Sequence, residues 1–261
     1  MGGAQPTQSC TRTANILANP QTRDYHNASF EFLGVDSFRT PSVIDSGINN
    51  IFTLNLWVLP TDLTLTGSGG LGQIMFQFGF PFLGQARNSL TLRLEQNPSD
   101  SQPYLSIILR NANNLAFKVF RISISDFFDG FNLWSMLTIT WNGSSLLIYK
   151  NNINITSNFS VLSNLNGSLS GPFASVAVGS DINNNNLFFG LVHQVAFWSK
   201  ALTQDEIRTI WGKGSGNVNL RIGQDGYTSQ NDLQILYLAG KDVADPFFDF
   251  SLNGRSLVFQ P

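Results

Sequence analysis

The feature that most limits what this chain can fold into is an apolar alternation of period two that recurs along most of its length. Residues 52–58 read Phe-Thr-Leu-Asn-Leu-Trp-Val and stop at Pro60. Ile74, Phe76, Phe78 and Phe80 fall on one face of a second run, and Leu90, Leu92 and Leu94 alternate with Thr91, Arg93 and Glu95. Further runs cover 104–109, 115–124, 134–141, 145–150, 174–178 and 188–198. Side chains alternate faces along a strand, so each run reads as a strand, and short strands at close spacing build sandwiches or barrels. Asn142-Gly143 between two runs predicts a two-residue hairpin turn, which needs positive φ at both positions.

One helix breaks the pattern. Thr203-Gln204-Asp205-Glu206 has capping-box spacing, in which the Thr hydroxyl and the Glu carboxylate each satisfy a backbone N–H. Leu202 and Ile207 are spaced as its hydrophobic staple, and Ile207, Ile210 and Trp211 form an i, i+3, i+4 stripe ended by Gly212. The expected fold is therefore all-β, a two-sheet antiparallel sandwich with one short C-terminal helix. Residues 1–27 read as an N-terminal arm and 28–211 as the sandwich. Residues 212–261 read as a C-terminal extension packing on the sandwich or on a partner, with 212–232 a Gly/Ser/Asn-rich loop.

Composition narrows the function classes. Hydrophobic residues make up 42% and charged residues 12%, about half the usual quarter, which leaves a core to bury and argues against disorder. Net charge is −2, with no Lys/Arg cluster, so no nucleic-acid partner is expected. A neutral surface rich in Asn costs little to desolvate and suits a chain covered by partners; an AT-rich coding genome gives the same bias. Cys10 is the single cysteine, so no internal disulfide can form. MGGAQPTQSC lacks a basic n-region and an apolar h-region, which predicts no secretory signal and a place in a virion or the cytoplasm. No apolar run approaches 18 residues, so no membrane insertion is expected.

Four stretches carry a family resemblance: 29–38 (SFEFLGVDSF), 52–60 (FTLNLWVLP), 134–150 (WSMLTITWNGSSLLIYK) and 190–207 (GLVHQVAFWSKALTQDEI). In this order and spacing they resemble the laminin-G-like, concanavalin A-like lectin/glucanase jelly-roll superfamily. The resemblance implies a jelly roll of two antiparallel sheets. Residues 233–238 and 249–254 look like the family's preamble, which precedes the first strand in relatives; here it stands at the C-terminus and is expected to close a sheet in cis. Many relatives bind calcium through loop oxygens. This chain has Ser37, His193 and Gln194 where acidic residues are common, so Asp36 and Asp181 remain as calcium candidates and no cofactor is expected.

Catalytic patterns are weak. Gly67–Gly72 satisfies GxGxxG, but strand-period residues follow it rather than the helix a dinucleotide site needs. His26 and His193 stand far apart, with no HExxH, Cys pair or GxSxG. Glycosidases need two carboxyl groups about 5–9 Å apart, which laminarinase-type relatives of this superfamily take from one ExDxxE strand, and that spacing is absent. Asp126 and Asp129 read as loop residues and Asp205 and Glu206 as helix caps. The chain is therefore expected not to be an enzyme. Trp57, Trp134, Trp141, Trp198 and Trp211 are sugar-stacking candidates by type, though three lie in core strand runs. Asn183, Asn184, Asn185 and Asn186 form a polar loop able to line a ligand site. The leading expectation is a non-catalytic structural or interaction module of a large assembly, a virion first, with other protein subunits as partners. A lectin-like carbohydrate-binding adhesion module is the alternative, and a degenerate glycoside-processing enzyme stands third.

Overall fold

The computed structural model describes residues 29–34, 37–40, 44–45, 50–61, 72–82, 85–97, 99, 101–130, 133–169, 173–212, 218–224, 226–238, 248–251 and 253–260. The strands are, in chain order, β1 (Phe30–Leu33), β2 (Ser37–Arg39), β3 (Ile44–Asp45), β4 (Phe52–Pro60), β5 (Gln73–Phe82) and β6 (Gln85–Gln96). Then come β7 (Pro103–Arg110), β8 (Ala116–Ser123), the single-turn helix α1 (Ile124–Phe127), β9 (Ser135–Trp141), β10 (Leu146–Lys150), β11 (Ile153–Asn154) and β12 (Ser160–Asn164). The chain continues through β13 (Phe173–Val178), β14 (Phe189–Trp198), helix α2 (Gln204–Trp211), β15 (Leu233–Leu238) and β16 (Val258–Gln260).

These strands form two antiparallel sheets, as the alternation predicts. The first runs β1-β14-β4-β9-β10-β11, with β15 also on β14; the second runs β12-β8-β7-β6-β5-β13-β2-β16, with β3 also on β13. One edge of β14 pairs with β4. Its other edge is shared end to end: β1 covers 189–192 and β15 covers 194–198. β16 adds to the second sheet beside β2. The C-terminal segment thus contributes a strand to each sheet of its own chain.

Between the sheets lies one core, which includes Leu54, Leu56, Phe76, Phe78, Leu92, Ile107, Ile139, Trp141 and Phe197. A second apolar cluster sits on the outer side of the first sheet, where Trp57, Leu59, Met136 and Trp198 meet Leu202, Ile207 and Ile210 of the α2 region and Leu220, Tyr227 and Leu236. Residues 212–232 therefore do more than loop: Leu220 and Tyr227 are buried against the sheet. Being covered on both faces, β4 and β9 are buried along their whole length. Their outward polar residues find partners under the cover. Asn55 Nδ2 donates to Thr138 Oγ1 at 2.7 Å, and Thr53 Oγ1 donates to Lys200 O at 2.7 Å while accepting from Leu202 N at 2.9 Å.

Two local readings differ. The run at 74–80 is not one face, because β5 is bulged against β6 between Ile74 and Phe76 and again between Phe78 and Phe80. Each bulge inserts a residue and reverses the alternation. Phe76 and Phe78 enter the core, whereas Ile74 faces outward into a pocket and Phe80 is exposed. The 142–145 connection is also longer than two residues: β9 and β10 close on Trp141 opposite Leu146, and only Gly143 has positive φ, +94°. The Asn142 carboxamide oxygen accepts from Ser144 N and Ser145 N at 3.0 and 2.8 Å, and this side-chain cap holds the wider loop.

Candidate functional site

The first sheet's outer face is filled by apolar residues, but the second sheet's outer face is polar. In β6 and β7 the residues at 90, 92, 94, 105, 107 and 109 enter the core, so Thr91, Arg93, Glu95, Tyr104, Ser106, Ile108 and Arg110 face outward. Register sets Thr91 opposite Ile108, Arg93 opposite Ser106 and Glu95 opposite Tyr104, with Arg121 of β8 opposite Ser106. Glu95 is the hub. It accepts from Arg121 Nη2 at 2.7 Å and from Arg93 Nη2 and Ser106 Oγ in short contacts, while the Arg121 guanidinium lies over the Tyr104 ring at 5.2 Å. Two arginines on one carboxylate leave this cluster with a net positive charge.

Arg110 adds a further cation. Its Nη1 donates to Asn114 O at 3.1 Å, and among the described residues it has no carboxylate partner. Burial, then repulsion from Arg93, holds its pKa below the usual arginine value. Both effects penalise a charge removed from water beside a like charge.

The loop after β13 reaches this face. Gly179 turns the chain with φ +82°, where a Cβ would lie 2.0 Å from the Phe32 ring. Asp181 then organises the loop: one carboxylate oxygen accepts from Asn183 N and Asn185 N at 2.8 Å each, and the other accepts from Asn186 Nδ2 at 3.1 Å. Asn184 and Asn186 take positive φ, 63° and 56°, which Asn tolerates better than most residues. The loop is fastened to the sheet at Ile182, whose N–H donates to Gln77 Oε1 at 2.9 Å and whose carbonyl accepts from Arg39 Nη1 at 3.1 Å. Gln77 Nε2 in turn donates to Thr91 Oγ1 at 2.8 Å.

Between loop and arginines lies a pocket of about 220 Å³ lined by Ile74, Gln77, Ala86, Thr91, Arg93, Ile108, Arg110, Asp181, Asn183 and Asn186. The loop predicted from sequence thus supplies Asn183 and Asn186 to it, while Asn185 is exposed and Asn184 accepts from Ser37 Oγ. Arg93, Arg110 and Gln77 escaped sequence reasoning. Their signal was the polar half of a strand alternation, which marks a face without saying what shares it.

Asp36 and the Gly67–Leu71 part of the glycine-rich stretch lie outside the described residues, as does the arm with Cys10 and His26. Both Asp181 oxygens are taken by loop N–H donors, and among the described residues no three His, Cys, Asp or Glu side chains cluster as a metal site. Trp57, Trp141 and Trp198 are fully buried, and Trp134 packs edge-on to His193 at 6.4 Å. Asp129 pairs with Lys150 at 2.7 Å, and Asp205 pairs with Arg208 at 2.6 Å. No described helix is long and apolar enough to cross a membrane.

A family model described as the concanavalin A-like lectin/glucanases superfamily matches residues 34–208. No curated protein matches the chain by sequence. Among solved structures, a protein from Bacteroides ovatus described as carbohydrate-binding is similar at 12% identity and TM-score 0.51, over 89% of this chain and 59% of that one. The enzymatically active domain of tailspike protein 2 from bacteriophage CBA120 is similar at 13% identity and TM-score 0.50, over 73% of this chain and 27% of that one. A pentraxin from Limulus polyphemus follows at 14% identity and TM-score 0.47, over 77% and 84%. At these identities the likeness is one of fold.

Proposed function

This chain belongs to the concanavalin A-like lectin/glucanase superfamily, and we propose from that premise that it is a non-catalytic binding module which takes glycans on the outer face of its second sheet. One observation carries the reading. Asp181 and Gln77 hold the 181–186 loop against the sheet, so Asn183 and Asn186 line a pocket together with sheet side chains. Carboxamides on a loop fixed before binding lose little entropy when they meet sugar hydroxyls. The carboxylates of this face support a non-catalytic role: Glu95 is saturated by arginines and Ser106, and Asp181 by loop amides. On a glycan array the 261-residue chain should bind a defined subset of glycans. Asn183→Ala should cut that signal about tenfold, the cost of one or two lost hydrogen bonds, with an unchanged melting temperature. An array with no signal would end this reading.

A second reading has its own observation. Residues 151–169 contain no charged residue and include the edge strands β11 and β12, with Ile153, Val161, Leu162 and Leu165 exposed. Exposed strand edges are usually guarded by charge or proline. A neutral edge can meet a second copy of itself without like-charge repulsion, as in a structural subunit of a virion or a comparable particle. Light scattering should then show self-association that Leu162→Lys abolishes; a monomer at all concentrations would exclude it.

A further inference from the structure

We infer that the pocket between the arginines and the 181–186 loop takes an acidic monosaccharide unit, its carboxylate received by Arg110 and its hydroxyls by the loop carboxamides. The inference rests on the glycan-binding reading and specifies the class of sugar.

Three observations lead there. The first is charge. In a chain of net charge −2, Arg93 and Arg121 share Glu95 on this face, Arg110 lines the pocket together with Arg93, and Asp181, whose oxygens the loop engages, is the one carboxylate among the lining residues. Arg110 is left half-buried beside the like charge of Arg93, with the Asn114 carbonyl as its acceptor. An anion arriving there removes the repulsion from Arg93, and a guanidinium presents paired donors in the plane that a carboxylate matches. The second observation concerns what is missing from the lining: among the described residues no aromatic ring borders the pocket, and Trp57, Trp141 and Trp198 are buried elsewhere. Without a ring to stack on the sugar face, a neutral sugar loses the main apolar contribution that lectin sites use, and a nucleobase has no platform. Charge has to supply what stacking does not. The third observation is the other half of the lining. Asn183, Asn186, Gln77 and Thr91 offer amide and hydroxyl groups, and Ile74 and Ile108 offer a small apolar floor, within about 220 Å³. That is the mixed surface of a sugar ring and larger than an inorganic anion needs.

The test is titration calorimetry on the full chain with N-acetylneuraminic acid, glucuronic acid, glucose, N-acetylglucosamine and sodium sulfate. At least one acidic sugar should bind about tenfold or more tightly than either neutral sugar, because a charge-assisted hydrogen bond contributes that much. Its affinity should fall as sodium chloride is raised. Arg110→Gln should remove the preference for the acid, whereas Arg110→Lys, keeping the charge but losing the fork, should retain part of it. Melting temperatures of both variants establish that the fold is intact, and the salt dependence of the unmodified chain tests the charge without any variant. If neutral sugars bind as well as acidic ones and Arg110→Gln changes nothing, the inference fails and the glycan reading stands. Sulfate matching the acidic sugars would reduce the site to an anion site and overturn the assignment. If no sugar binds and the glycan array is also blank, both readings fall together.

Discussion

Glu206 shows how much one side chain in this protein is asked to do. It begins as the third residue of a capping box: Thr203 Oγ1 accepts from Glu206 N at 3.3 Å, and Glu206 Oε2 accepts from Thr203 N at 3.0 Å. Its other oxygen leaves the helix, accepting from Ser229 Oγ in a short contact and from Thr228 N at 3.4 Å, with Lys200 Nζ at 3.6 Å. The residue that caps α2 therefore also fastens the segment that covers the first sheet. Burial raises the carboxyl pKa, but the hydrogen bonds from Ser229, Thr203 and Thr228 and the Lys200 charge outweigh it and leave the group below the usual carboxylate range. A depressed pKa contributes stability that is complete above the unfolded value and is lost as pH falls through the folded one. Glu206→Ala strands these donors and should cost roughly 3 kcal/mol at pH 7, read as a loss of several degrees in melting temperature. The cost should shrink as pH falls through the depressed folded pKa, where the parent side chain is protonated too. The tyrosines have the opposite sign. Burial raises the Tyr227 hydroxyl to about 12, despite a hydrogen bond from Trp198, and burial together with Asp249 pushes Tyr237 well up. Their neutral forms are favoured by folding, so stability is complete below about pH 10 and falls as pH rises through 10 to 12 and above. Tyr227→Phe should lose roughly 1–2 kcal/mol at pH 7, because Trp198 Nε1 and Leu220 O lose their shared partner, yet decline less steeply between pH 10 and 11.

Among the elements, the C-terminal strands make the strongest claim. β15 fills the half of the β14 edge that β1 leaves, and behind it Asp249 accepts from Leu236 N at 3.0 Å, Ser251 N at 2.9 Å and Arg255 N at 3.0 Å. Tyr237 Oη donates to Arg255 O at 2.7 Å, so one turn and one strand are bound together under the core. Leu233, Ile235, Leu236, Tyr237 and Leu257 are buried. Each large apolar side chain contributes about 1.5–3 kcal/mol on burial, against a net stability of only about 5–15 kcal/mol. A chain ending at Gly212 should therefore be insoluble or melt far below the parent; a soluble monomer with the parent's melting temperature would show the segment to be dispensable. The helix was readable from four letters because a capping box acts within one turn. The bulges of β5 were not readable, because a bulge is a mismatch between two strands and neither strand records it alone.

At the scale of the whole molecule, the two sheets have divided the work. The first is covered on its outer side by α2 and the segment that follows, so it has no polar face to offer; the second keeps a polar outer face and carries the pocket. Calcium is not expected to hold this arrangement together, since the Asp181 carboxylate is already engaged by three N–H donors. Adding EDTA should leave the melting temperature within about a degree. A drop of several degrees would reveal a metal bound to the folded state, because such a ligand stabilises it by mass action. The amino-acid sequence by itself determined the class of fold, most strand runs, the capped helix and the Asn loop, all of which follow from periodicity or from contacts within a few residues. Only the tertiary structure decided that Ile74 leaves the core, that β1 and β15 divide one edge, and that Arg93 of β6, Arg110 of β7 and Asn183 beyond β13 line one pocket. Alternation tells a side chain which face it takes. Which neighbours it meets there depends on strand order and register, and those are set by pairings between residues far apart in the chain.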